Sequence, residues 1–210
     1  AMWALNNRKI LDNHVSQIKK GSEYIQKNLT KEQINSVIAL YNNGKFQEAV
    51  DSIKALNKDH PNVPLLFNLL GACHKSLGQI DAALQMLETA TKIKPDYAVA
   101  YNALGYSFAD RNIKLDEAKI NIEIALSLEP RNHYIMDSMG WVQYRLGNID
   151  VALDFLRKAY EIKKDPEISA HLGEVLWHAN KTDEAQKIWD ESLQQYPDNK
   201  ILLKTVKKYR

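Results

Sequence analysis

The sequence is poor in the residues that staple or punctuate an irregular fold. Its 210 residues include one cysteine, Cys73, so no internal disulfide can form. Eight glycines and six prolines are too few for a β-protein built on many tight turns. No apolar run approaches the roughly 18 residues of a membrane-spanning helix. At the N-terminus, Ala1-Met2-Trp3-Ala4-Leu5 is interrupted at once by Asn6, Asn7, Arg8 and Lys9, which does not read as a signal peptide. Ala1-Met2 is expected to be a cloning scar, with any natural targeting segment cut away. Disorder is excluded too, because 45% apolar residues, 26% charged residues and a net charge of +2 describe a chain able to bury a core.

The small net charge hides an uneven distribution. Residues 1–28 carry five basic and two acidic side chains, and residues 200–210 carry five basic and none acidic. That leaves 2 − 3 − 5 = −6 for residues 29–199. A nucleic-acid binder concentrates positive charge on its main surface, so no nucleic-acid partner is expected.

The spacing of the few glycines carries more information than their number. Gly44 to Gly78 and Gly71 to Gly105 are each 34 residues; Gly105 to Gly140 is 35, and Gly140 to Gly173 is 33. Pro61, Pro95 and Pro130 keep the same beat, as do Ala49, Ala83, Ala118, Ala152 and Ala185. A period near 34 marks an array of repeated units. The units divide as 30–63, 64–97, 98–132, 133–165 and 166–199. Within the second, Leu66-Phe67, Leu69-Leu70, Cys73 and Leu77 are followed by Ala83-Leu84, Leu87, Ala90 and Ile93. Spacings of three and four predict two amphipathic helices, separated by the turn Leu77-Gly78-Gln79. Gly71 and Ala83 are small where two helix backbones approach. Pro95 lacks an N–H and stops the second helix, and Thr30-x-x-Gln33 is a capping box for the first helix of the array.

This pattern resembles the tetratricopeptide repeat. Phe67, Leu70-Gly71, Gly78, Ala83, Ala90 and Pro95 carry the resemblance in the second unit. Tyr101, Leu104-Gly105, Phe108, Ala118, Ala125 and Pro130 carry it in the third. Met139-Gly140, Gly147, Ala152 and Ala159 follow in the fourth, which lacks the late proline; Leu172-Gly173, Ala185, Trp189 and Pro197 follow in the fifth. The first unit departs most, with Ser36-Val37 in place of Leu-Gly. The resemblance implies an all-α, right-handed α-solenoid of five helix pairs. Residues 1–29 are expected to form an N-terminal helical extension. Residues 200–210, with Leu202, Val206 and Tyr209 on one face and lysines on the other, are expected to form a capping helix over the last repeat.

Little in the sequence suggests catalysis, and no cofactor or metal is expected. Cys73 and His74 are neighbours on a helix and point about 100° apart, so Cys73 reads as a buried structural thiol. His171, Glu174 and His178 share a helix face but lack a fourth metal ligand, and a polar groove surface is the expected role. The sequons at Asn28 and Asn180 sit at helix boundaries, where Asn and Thr serve as caps. The basic tail reads as the solvated face of the capping helix.

In the family, first helices line a concave groove that holds extended peptides or a partner's helix. Carried over to this sequence, the residues expected to bind a peptide or partner are Asn68, Lys75, Asn102, Tyr106, Tyr134, Asp137, Trp141, Tyr144, Glu174 and Trp177. Asn68 and Asn102 occupy equivalent positions, and an amide that both donates and accepts can pair with any peptide backbone. Tyr106, Tyr134, Trp141, Tyr144 and Trp177 supply aromatic anchors, with Trp141 and Tyr144 expected to face the open groove. Tyr101 and Trp189 are expected to pack between helices. The two-carboxylate clamp that grips Hsp70 and Hsp90 tails has no counterpart, because its places fall on residues such as Ile34, Ile38, Leu69, Val99 and Ala103.

Residues 104–110, 137–147 and 170–177 look like the C-terminal part of bacterial outer-membrane tetratricopeptide lipoproteins. Those are scaffolds, some of which bring a processing protease to cell-wall hydrolases. The first hundred residues look like bacterial arrays that precede sulfotransferase or glycosyltransferase domains. The expected function is therefore a non-enzymatic scaffold or adaptor, with the bacterial periplasm or outer membrane favoured over the cytoplasm and the compartment left open by the sequence. Membrane contact would come only through an anchor absent from this sequence. Self-assembly, including a homo-dimer through the N-terminal helix, and service as the recruiting module of a larger transferase or protease complex are the alternatives.

Overall fold

The structure is a computed structural model that describes residues 29–209. The expected N-terminal extension over 1–29, with Trp3 and the sequon at Asn28, lies outside the described residues except for Leu29. Among the described residues every regular element is an α-helix, and none is long and apolar enough to cross a membrane.

The helices run α1 (Lys31–Asn42), α2 (Phe46–Asp59), α3 (Pro64–Ser76), α4 (Ile80–Ile93), α5 (Ala98–Asp110), α6 (Leu115–Leu128), α7 (His133–Arg145), α8 (Ile149–Ile162), α9 (Pro166–His178), α10 (Thr182–Gln195) and α11 (Lys200–Tyr209). Their starts follow from local chemistry. Thr30 Oγ1 accepts from the Gln33 backbone N–H at 3.2 Å, and Gln33 Oε1 accepts from the Thr30 N–H at 2.8 Å, so the capping box closes on both sides. Pro64 and Pro166 open α3 and α9, where a missing N–H costs nothing. Asp165 and Asn132 each cap a helix by accepting from the backbone two residues on.

The turns inside the helix pairs need a left-handed residue. Gly78 supplies it between α3 and α4 at φ +75°. The turn between α5 and α6 has no glycine, and Asn112 and Lys114 take positive φ there instead. The pairs are held by small residues where backbones meet. A Cβ on Gly105 would lie 2.7 Å from the Ala118 carbonyl oxygen, and Ala118 itself is fully buried.

The contacts divide the chain into two compact units, one up to Ala103 and one from Leu104, the division falling inside α5. In the first, the core is built from Ile34, Val37, Ile53, Leu66, Leu69 and Leu87, and Tyr41 shares a 3.1 Å hydroxyl–hydroxyl hydrogen bond with Ser76. In the second, Ile122, Ile135, Leu156, Leu172 and Trp189 fill the corresponding places. Here Arg157 of α8 reaches Glu184 of α10 at 2.8 Å, and Lys164, in the connection after α8, reaches Glu191 of α10 at 3.3 Å. Helix α11 packs on α9 and α10 through Ile201, Leu202 and Val206, with Asn199 capping its first turn.

Candidate functional site: the first-helix faces

In the unit up to Ala103, the candidate residues are Asn68 and Lys75 on α3 and Asn102 on α5. Asn68 is 1% exposed. Neither its Oδ1 nor its Nδ2 has a hydrogen-bond partner, and both atoms are shielded from solvent. Asn102 is buried as well, with Oδ1 unpaired. Lys75 is half-buried at the end of α3. Cys73, on the same helix, is fully buried, and burial pushes its thiol up to about 12, far from the thiolate that a nucleophile needs.

In the unit from Leu104, side chains of α5, α7 and α9 collapse on one another. The carboxylate of Asp137 places both oxygens 2.9 Å from His171 Nδ1, and neither side chain is more than 1% exposed. The Trp141 ring stacks on His171 with centroids 4.3 Å apart, and Tyr106 lies 6.1 Å from the same imidazole. Arg145 places its guanidinium 4.8 Å from the Trp141 centroid and donates to the Asp110 carbonyl at 3.4 Å. Burial by itself would push the His171 imidazole down. The Asp137 charge and hydrogen bond, with the charges of Glu174 and Asp110, outweigh it and hold His171 above the usual imidazole value of 6.5. Burial, with the charges of Asp110, Glu167 and Asp137, likewise holds the Tyr106 phenol neutral.

Tyr134 is buried too, with Lys163 Nζ donating to its hydroxyl at 3.2 Å. Nearer the surface, half-buried Tyr144 sits 5.2 Å from Trp141 and 5.7 Å from His178. His178 Nε2 lies 3.0 Å from the Tyr209 hydroxyl. Trp177, also half-buried, lies 5.5 Å from the Tyr209 ring. Glu174 accepts from Lys208 at 3.0 Å.

The structure thus differs from the expected exposure. Asn68, Asn102, Tyr106, Tyr134, Asp137 and Trp141 are buried, and Trp141 is only 4% exposed. Lys75, Tyr144, Glu174 and Trp177 are half-buried. Rings on successive first helices point inward, and they bury their apolar area against one another. Arg145 and Tyr209 are the site residues that sequence reasoning does not assign to the face, and the pairing of His171 with Asp137 is the contact it does not foresee. The usable signal is the 34-residue step from Asp137 to His171, which matches the step from Asn68 to Asn102. Along its own helix, His171 groups instead with Glu174 and His178.

A family model for the TPR repeat matches residues 71–110, and one for the tetratricopeptide repeat matches residues 138–200. The chain is a tetratricopeptide-repeat protein. This repeat protein is 38% identical over 139 residues to TPR repeat-containing protein PA4667 of Pseudomonas aeruginosa, covering 65% of this chain and 23% of that one. It spans about a quarter of the length of the curated relatives it matches. Its fold is similar to that of a thermophilic TPR protein of Thermus thermophilus, with TM-score 0.75 at 23% identity over 84% of this chain and 97% of that one. It is also similar to PilW, a type IV pilus biogenesis factor, with TM-score 0.71 at 17% identity over 80% of each chain. Within the tetratricopeptide array, Asn68 and Asn102 hold equivalent positions on successive first helices, and so do Asp137 and His171.

Proposed function

We propose that this chain is a non-enzymatic scaffold whose first-helix faces hold an extended segment of a partner protein or peptide. The observation that carries this reading is the Asn68 amide, buried with neither its donor nor its acceptor satisfied. Such a group costs about 1–3 kcal/mol relative to an apolar residue of the same shape. A bound main chain, which offers C=O and N–H together, would remove that cost. Asn102, one repeat later and with Oδ1 also unpaired, extends the same chemistry. In the unit from Leu104, the half-buried rings Tyr144 and Trp177 would supply apolar anchors of that unit's own. Membership of the repeat family supports the reading, since helix-pair arrays present extended binding surfaces.

The test is selection of peptides from a random display library on the full chain, followed by calorimetry of the recovered peptides. Asn68→Leu, and separately the double variant Tyr144→Ala with Trp177→Ala, should weaken binding at least ten-fold while circular dichroism stays helical. No recovered binder, or unchanged affinity in both variants, would reject the reading.

A further inference from the structure

The stack of Arg145, Trp141 and His171 has a feature that packing alone does not explain. Trp141 Nε1, His171 Nε2 and Arg145 Nε are each sealed from solvent and have no hydrogen-bond partner. Trp141 and His171 are more than nine-tenths buried, and their rings lie parallel to within 22°. The other polar contacts of the stack are made: His171 Nδ1 to Asp137 and Arg145 Nη2 to the Asp110 carbonyl. Three nitrogens on side chains packed against or belonging to the Trp141 ring can carry N–H and lack acceptors. In native proteins a buried polar group without a partner calls for a specific explanation.

We infer that Trp141, His171 and Arg145 form a receptor for an uncharged amide oxygen, a main-chain or carboxamide carbonyl of a bound chain. This rests on the scaffold reading above and gives it a chemical class in the unit from Leu104. The ligand must be an acceptor, because an indole N–H and a guanidinium N–H only donate. It must be uncharged because carboxylates already crowd the site. Asp137 and Asp110 face the imidazole from α7 and α5, and Glu174 faces it from its own helix. Glu167 and Arg145 join Asp110 and Asp137 around Tyr106, while Lys208 of α11 is paired with Glu174. Four carboxylates stand against three cationic groups, His171, Arg145 and Lys208, before any ligand enters. Tyr144, the half-buried neighbour of Trp141, is the ring that an entering chain displaces.

The imidazole adds a proton dependence. With Nδ1–H donated to Asp137, a neutral ring leaves a lone pair on Nε2, which repels a carbonyl oxygen. The imidazolium donates from both nitrogens. Occupancy is therefore strongest below the His171 titration and weakens above it.

The experiment follows the indole N–H signals of the full chain, with Trp141 assigned through its contacts to the His171 ring. The probes are N-acetylglycine N-methylamide, which has amide oxygens only, and N-acetylglycine, which adds a free carboxylate. The first should move the Trp141 signal downfield along a saturating curve at the lower pH, below the His171 titration, and at least three-fold less above it, the titration being followed on the His171 ring signals of the same sample. The second should move it at least three-fold less at the lower pH. Trp189 is the internal control, since its Nε1 is equally unpaired but lies against Gly173. A Trp141 signal that moves no further than that of Trp189, or further with the carboxylate probe, overturns the inference. If display-selected peptides bind while Trp141 stays still, this receptor fails and the scaffold reading stands. A saturating Trp141 shift with no recovered peptide supports the receptor and removes the scaffold reading.

Discussion

Trp189 lays its indole in the space where Gly173 would carry a Cβ, with Nε1, Cε2 and Cδ1 all in the way. The indole is fully buried between α9 and α10, so a rigid ring rather than a pliant chain faces the glycine. Gly173→Ala should cost about 3 kcal/mol, at the upper end for overpacking. Gly71, the equivalent residue on α3, faces Leu87 Cγ at 2.9 Å and the Ala83 carbonyl oxygen at 3.2 Å, a smaller overlap than the indole makes at Gly173. Gly71→Ala should cost about 1–2 kcal/mol, because alanine's helix propensity offsets part of the strain. Urea denaturation of the two variants checks the order.

The Asp137–His171 pair makes stability depend on pH in a definite direction. The folded imidazole titrates above its usual value of 6.5. Its contribution is therefore complete below the unfolded value and is lost as pH rises through the folded one. Thermal midpoints should fall as pH is raised from about 6 through the folded His171 titration. Asp137→Asn should flatten that slope and destabilise the protein at about pH 6 by roughly 3 kcal/mol, the scale of a broken buried pair.

Asn68→Leu should raise stability by about 1–2 kcal/mol, because an apolar side chain of similar size removes an unsatisfied buried amide. The same variant should lose affinity for selected peptides. Calorimetric unfolding beside a binding titration reads both effects, and a variant that is less stable than the parent would contradict the burial argument.

On α11 the apolar contact should far outweigh the ionic one. Leu202 is fully buried, and Leu202→Ala should cost about 3 kcal/mol. Lys208, whose side chain is 61% exposed, reaches Glu174, whose side chain is 13% exposed, so water screens the pair from the lysine side. Lys208→Ala should cost no more than about 1 kcal/mol. Denaturant midpoints of the two variants, measured at equal salt, test the contrast.

Local features of the fold are readable because they depend on neighbours in the chain. The Thr30–Gln33 box, the Asp165-Pro166 start of α9 and the stop after Ile93 ahead of Pro95 each act within a few residues. The candidate site is readable only in part. Asn68 and Asn102 stand out because they are the same residue one repeat apart. Asp137 and His171 are also one repeat apart, but they are different residues whose pairing needs two helices side by side. The burial of Trp141 runs against the expected openness, because periodicity reports which face a residue shares and says nothing of what folds over it.

The sequence by itself determined the helix pairs, their 34-residue beat and the small residues where backbones meet. These follow from local propensity and from steric room at fixed spacing. Only the tertiary structure decided which inward rings collapse together, that His171 finds Asp137, and which polar atoms stay unsatisfied. Those outcomes depend on distances between helices, set by the packing of every side chain between them, and no local pattern encodes them.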